Sequence, residues 1–288
     1  MTTTEQLAAD TAMGAVTLNV ADLDLMTSFY RDGVGLDVIE EVGPERMLGR
    51  GGKGLLRLVH TPALRHAGPR EAGLFHTAFL FESKAALAAA VYSVASKFPN
   101  LFRGSSDHLV SLALYFNDPE HNGVELYWDR SRTEWSWTHG QVEMSTLFLD
   151  PNKFLAENLP EEEAAPIDAT TIGHVHLSVG DIPSARDFYV KKLGFDETLD
   201  YGGQALFVSA GGYHHHMAMN VWNSNGAGRR QQTLGLGRVD LVLPGSDDLG
   251  ALGERMQYYA VHVRDDGQAV EFDDPWGNLV RAQLAEAT

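Results

Sequence analysis

The chain has 288 residues, enough for two ordinary domains with cores of their own, and its 44% apolar and 21% charged residues are the composition of a globular protein. Lys and Arg number 22 against 39 Asp and Glu, a net charge of −17 that repels phosphate backbones and anionic bilayers, so neither nucleic acid nor a membrane is expected as partner. There is no cysteine, which excludes disulfides, zinc thiolates, iron–sulfur clusters and cysteine nucleophiles, and leaves any metal to His, Asp, Glu, carbonyls or water.

In chain order, Met1 to Asp10 lacks the basic and apolar regions of a secretory signal, so a cytoplasmic protein is expected. Gly14 to Asp22 alternates as a strand does, and a helix-like stretch with Phe29-Tyr30 follows, ending near Gly35-Leu36. A second strand is Phe75-His76-Thr77-Ala78-Phe79. The longest apolar run, around Ala85 to Ala95, has the length of a core helix and not of a membrane span. Leu114 to Trp128 reads as a strand, a tight Asp118-Pro119 turn and a second strand carrying Glu125. The acidic run Asn158 to Pro166 reads as a solvated linker. Gly173-His174-Val175-His176-Leu177 opens another alternating strand, with Asp181 as helix cap and Gly194 as helix stop.

These segments repeat. Gly14 to Asp22, Phe29-Tyr30 and Gly35-Leu36 map onto Gly173 to Asp181, Phe188-Tyr189 and Gly194-Phe195 at a constant offset of 159 residues. Phe116-Asn117-Asp118-Pro119, Asn122 and Val124 map onto Phe272-Asp273-Asp274-Pro275, Asn278 and Val280 at an offset of 156. Four units follow, beginning near Gly14, Gly73, Gly173 and Gly235, each read as βαβββ. The expected fold is α+β: four βαβββ units paired into curved eight-stranded cups with helices outside. The expected domains are 10–140 and 169–285, two units each, with a linker at 141–168.

Four βαβββ units, histidines opening two of them and a glutamate on a last strand resemble the vicinal oxygen chelate superfamily of glyoxalases and dioxygenases. Within it the chain is similar to extradiol ring-cleaving dioxygenases of the catechol 2,3-dioxygenase type. The sharpest match runs from Tyr115 through Asn117-Asp118-Pro119 and Asn122 to Glu125, with Leu74 to Ser83 resembling the strand that carries a ligand histidine.

The resemblance implies a facial triad of His76, His174 and Glu125 holding Fe(II), with Mn(II) the alternative because the donors suit both. It implies Tyr115 as hydrogen-bond partner of a substrate oxygen and His215 as acid/base histidine. It implies a small aromatic diol and O2 as partners and a homo-oligomeric assembly. His176 shares a strand face with His174 and competes with it as ligand. The family's second histidine, nine residues before the tyrosine, is Ser106 here, and His108 is expected to stand in for it. His121 replaces a turn glycine, which implies either altered angles or a left-handed residue.

The ligand-bearing units are the second and third. The first has Ala15 at the position of His174, and the fourth has Arg238 and Arg281 at those of His76 and Glu125, so one cup is expected to be catalytic and the other structural. No acid stands on Met219 to Trp222, where a glyoxalase would carry its second acidic ligand.

A lone strand histidine is more often packed than ligating, so the argument rests on the set. His214, His215 and His216 are read on an edge strand with His215 on the opposite face from its neighbours. Trp135 and Trp137 are read as structural, and Arg229-Arg230 as a loop suited to a lid. Two other classes remain open: a non-redox metal enzyme of the same superfamily (lyase, isomerase or transferase), and a metal-free protein that sequesters a drug.

Overall fold

The computed structural model describes residues 6–159 and 170–285. The first unit comprises β1 (Ala12–Val20), α1 (Leu23–Ser28) with a π-helical continuation Phe29–Val34, β2 (Asp37–Val42), β3 (Glu45–Arg50) and β4 (Lys53–His60). The second comprises β5 (Gly73–Phe81), α2 (Lys84–Lys97), β6 (Phe102–Asp107), β7 (Ser111–Asn117) and β8 (Gly123–Asp129). Between repeats lie the short strands β9 (Trp137–Thr138), β10 (Gln141–Val142) and β11 (Leu147–Phe148) and the helix α3 (Pro151–Asn158). The third unit is β12 (Thr170–Ser178), α4 (Ile182–Arg186) continuing as a π-helix Asp187–Lys192, β13 (Asp196–Tyr201), β14 (Ala205–Ser209) and β15 (Met217–Asn220). The fourth is β16 (Gly235–Leu243), α5 (Ser246–Tyr258), β17 (Val263–Asp265), β18 (Ala269–Asp273) and β19 (Leu279–Leu284).

The βαβββ reading thus holds in all four units. The strands form an eight-stranded sheet in the order β17-β18-β19-β16-β1-β4-β3-β2 and a nine-stranded sheet in the order β11-β6-β7-β8-β5-β12-β15-β14-β13, with β9 and β10 as a separate hairpin. The first and fourth units contribute to one sheet and the second and third to the other. Two compact units are distinguished, one of Thr17–Arg65 and His76–Gly173, the other of Met1–Val16, His66–Phe75 and His174–Thr288. Part of the segment read as linker, 141–159, carries β10, β11 and α3, and residues 160–166 of the acidic run lie outside the described residues. No described helix is long and apolar enough to cross a membrane.

Within a unit the first and last strands run parallel: β5 pairs with β8, β12 with β15 and β16 with β19. Alternation then sorts each strand into two faces. On one face of the second unit lie Ala78, Ala113 and Tyr127, all fully buried, with Leu80 and Tyr115 packed on them. The two alanines keep that face low beside the longer polar side chains of His76 and Glu125. The apolar run read as a core helix is α2, capped by the Ser83 side chain accepting from Ala86 N–H and burying Ala86, Leu87, Ala90, Val91 and Val94.

The repeat-matched residues outside the strands prove to be a buried network present twice. Tyr30 donates its hydroxyl to Asp118 Oδ2 at 2.8 Å, and Asn122 Nδ2 donates to the same oxygen at 2.9 Å. Tyr189 donates to Asp274 Oδ2 at 2.9 Å, joined by Asn278 Nδ2 at 2.8 Å. Each tyrosine follows a phenylalanine, and both aromatics of each pair are buried. The π-helical turns fall on these pairs, where two consecutive aromatics must face inward; a plain α-helix was the expectation, and the wider turn is the local adjustment. In each Asp-Pro turn the aspartate's other oxygen accepts backbone N–H groups, from Glu120 and Asn122 in one and Trp276 and Asn278 in the other. His121 occupies the left-handed region at φ 72°, as Gly277 does at φ 81° in the matching turn.

Candidate metal centre

The site is built on strands β5, β8 and β12 of the nine-stranded sheet. His76 on β5 stands opposite Gly123 of β8, and Ala78 opposite Glu125, so the imidazole and the carboxylate project from neighbouring strands on the same side. His76 Nε2 lies 3.0 Å from Glu125 Oε2, with 7% and 3% of the side chains exposed. A carboxylate this deep is costly unless it is paired or bound to a cation.

His174 is on β12 and buried. One donor atom each from His76, Glu125 and His174 lies within 4.8 Å of the others. Two imidazoles and one carboxylate, buried and mutually close, fit a divalent transition metal, and the absence of cysteine is consistent with an N/O donor set.

The two histidines of β12 have different surroundings. His176 Nε2 is 3.0 Å from Asn220 Nδ2, and because the amide nitrogen donates, that ring nitrogen accepts. Its ring packs among Phe75, Phe207 and Trp222, with centroids 5.0 to 5.8 Å away. His174 stands instead with the other two donors.

The run Tyr213 to His216 does not form an edge strand. It follows the left-handed Gly211 and Gly212 (φ 61° and 67°) as a loop leading into β15. The His216 backbone accepts from Val175 N–H at 3.0 Å and donates to Val208 O at 2.9 Å, which seats the loop on its neighbours. Strict alternation therefore does not apply there. His215 is buried, its ring centroid is 4.1 Å from that of His174, and its Nδ1 is 2.7 Å from His214 Nδ1. His216 is turned away and accepts from Ala210 N–H through Nδ1 at 3.1 Å.

Tyr115 on β7 is the direct cross-strand partner of Glu125. Burial first, then the Glu125 charge and a hydrogen bond to it, hold the Tyr115 hydroxyl well above its ordinary pKa, so it is a neutral donor near pH 7. Its ring centroid is 5.8 Å from that of His76. Ser106 lies on β6, whereas His108 falls just past its end, with Nε2 at 2.8 Å from Tyr115 Oη and Nδ1 at 2.7 Å from Ser145 O.

Trp135 is buried and donates to Arg130 O, while Trp137 is exposed. The Arg229-Arg230 pair is anchored, contrary to its reading as a lid: Arg230 donates to Asn278 Oδ1, Thr233 Oγ1 and Leu236 O, and Arg229 pairs with Asp273. In the fourth unit, Arg238 binds Asp240 and, with Arg281, flanks Glu271, so ion pairs occupy the positions where the second unit carries His76 and Glu125.

Known proteins fit this picture. The model of the glyoxalase/bleomycin resistance protein/dioxygenase superfamily matches residues 12–126 and 171–282. A catechol-2,3-dioxygenase of Bacillus subtilis (strain 168) is 32% identical over 271 residues, covering 92% of this chain and 94% of that protein. Among solved structures, a protein of Bacillus subtilis subsp. subtilis str. 168 assigned as a dioxygenase aligns over 98% of this chain and 87% of its own, at TM-score 0.64 and 16% identity. Glyoxalase I of Zea mays aligns over 96% of this chain and 92% of its own, at TM-score 0.56 and 14% identity, a likeness of fold. The chain belongs to the glyoxalase/bleomycin resistance protein/dioxygenase superfamily.

Proposed function

We propose that the protein is an extradiol dioxygenase that opens the ring of a catechol-type substrate beside its two hydroxyls, inserting both atoms of O2. The observation that carries this reading is the donor set of His76, Glu125 and His174, drawn together within 4.8 Å on the scaffold of a chain 32% identical to a catechol-2,3-dioxygenase. These three side chains would hold Fe(II), with Mn(II) the alternative. The chemistry a ferrous ion supplies there is chelation of the two catechol oxygens and passage of electron density from the ring to O2.

The remaining work falls to the protein. His76, His174 and Glu125 would be the protein's ligands to the metal, where substrate and O2 would meet it. Tyr115 hydrogen-bonds a substrate oxygen through its hydroxyl. His215, whose ring lies against that of His174, takes a proton from the catechol and returns one as the ring opens, a role worth ~10²–10⁴ in rate. The partners are therefore a small aromatic diol and O2, and the resemblance to the superfamily implies a homo-oligomeric assembly.

Loading the apoprotein with Fe(II) without air, then adding catechol and air, tests this reading. A coloured ring-fission product is expected. Stoichiometric metal without O2 uptake for any catechol would favour a non-redox enzyme, and failure to bind metal after reconstitution would favour a binding protein.

A further inference from the structure

We propose that His108, held by the carbonyl of Ser145, is a positioning residue that fixes the Tyr115 hydroxyl, and that it does not itself exchange a proton with the substrate. The inference rests on the dioxygenase reading for its kinetic meaning, but its geometry stands alone. Both ring nitrogens of His108 are engaged inside the protein: Nδ1 with Ser145 O at 2.7 Å and Nε2 with Tyr115 Oη at 2.8 Å. With both nitrogens bonded, neither is left over for a substrate hydroxyl, so His108 does not replace the histidine missing at Ser106.

The chemistry of the partners fixes the tautomer. A carbonyl oxygen can only accept, so the proton of neutral His108 sits on Nδ1 and Nε2 is an acceptor. Tyr115 has one hydroxyl proton and two acceptors in reach, Glu125 and His108 Nε2. When the carboxylate oxygens of Glu125 are taken up as ligands, His108 still offers the proton a fixed partner. The hydroxyl is then held in place and presents its lone pairs as well.

The anchor is supplied by chain far from the site in sequence. Leu147 and Phe148 of β11 pair with Asp107 and Ser106 of β6, and the Ser105 hydroxyl donates to Leu149 O at 2.8 Å. Ser145 N–H approaches His108 O at 3.4 Å, so side chain and backbone of His108 are both tied to Ser145. Leu109, left-handed at φ 71°, then turns the chain back into β7, which brings Tyr115 beside the ring. The segment after the second unit is thereby a strap that sets a residue of the site.

A double-mutant cycle with catechol as substrate tests the role. His108→Ala should lower kcat/KM about 10–100-fold, the scale of a misplaced site group. In the Tyr115→Phe background the same change should cost nothing more. Independent, multiplying losses would overturn the proposal, because a proton acceptor or a merely structural residue acts without Tyr115. If His108→Ala fails to fold, His108→Gln replaces it in the cycle. Nitrogen-15 NMR of the metal-free protein supplies a second readout, with the His108 signals identified by their loss in the variant. A ring protonated on Nδ1 is expected; one protonated on Nε2 alone refutes the pinning. If wild-type protein cleaves no catechol, the dioxygenase reading fails and the NMR result decides the pinning by itself.

Discussion

Tyr30→Phe should destabilise the protein in a pH-dependent manner, because it removes one hydrogen bond from a buried carboxyl group. Asp118 accepts from the Tyr30 hydroxyl at 2.8 Å, from Asn122 Nδ2 at 2.9 Å and from two backbone N–H groups at 2.9 and 3.0 Å. Burial outweighs these bonds and pushes the carboxyl up to about 6. An unfolded aspartate titrates near ~3.9, so the protonated group favours the folded state. That contribution, about 3 kcal/mol, is fully present below about pH 4 and is lost as the pH rises through about 6.

The Tyr30 bond opposes this loss, since it favours the ionised form. A bond to a charged acceptor is worth about 1.5–3 kcal/mol and one to a neutral acceptor about 0.5–1.5 kcal/mol. Tyr30→Phe should therefore cost about 2 kcal/mol at pH 8 and about 1 kcal/mol at pH 5. Urea unfolding of both proteins at the two pH values, followed by circular dichroism, reads the difference. Tyr189→Phe should behave in the same direction, since burial also raises Asp274 and Tyr189 bonds it. Equal losses at pH 5 and pH 8, or a larger loss at pH 5, would refute the reasoning.

Glu125→Gln and His174→Asn should each weaken metal binding by more than the ~10–100-fold typical of losing an outer partner, while His176→Asn should keep a stoichiometric metal; calorimetric titration of the apoprotein reads all three. His215→Ala should retain its metal but lose ~10²–10⁴ in turnover, and full activity would remove His215 from the chemistry. Gly173→Ala should destabilise by about 1–3 kcal/mol in thermal melts, because a Cβ there would overlap the hydroxyl oxygen of the fully buried Tyr127.

Much of the fold was legible because the repeat carries its own phase. Gly14 and Gly173, Tyr30 and Tyr189, and Asp118 and Asp274 lie at fixed offsets, so one unit's reading could be checked against another. That His76, His174 and Glu125 come close together was suggested by the family resemblance, and strand alternation places His76 and Glu125 on one face. The histidine run was misplaced because two left-handed glycines turn Tyr213 to His216 into a loop, and alternation fails there. The Tyr30–Asp118–Asn122 network was visible only as matching letters, since nothing local says that a tyrosine and an aspartate 88 residues apart are bonded. The Ser145 anchor of His108 left no signal at all. Two-residue strands such as β11 are too short to display a period, and a backbone carbonyl can belong to any residue.

The most direct test of the central claim is the fate of labelled oxygen. Protein loaded with Fe(II) and given catechol under ¹⁸O2 should yield a ring-opened product carrying two ¹⁸O atoms, read by mass spectrometry. An intact ring, or a product whose new oxygen comes from water, would contradict the account.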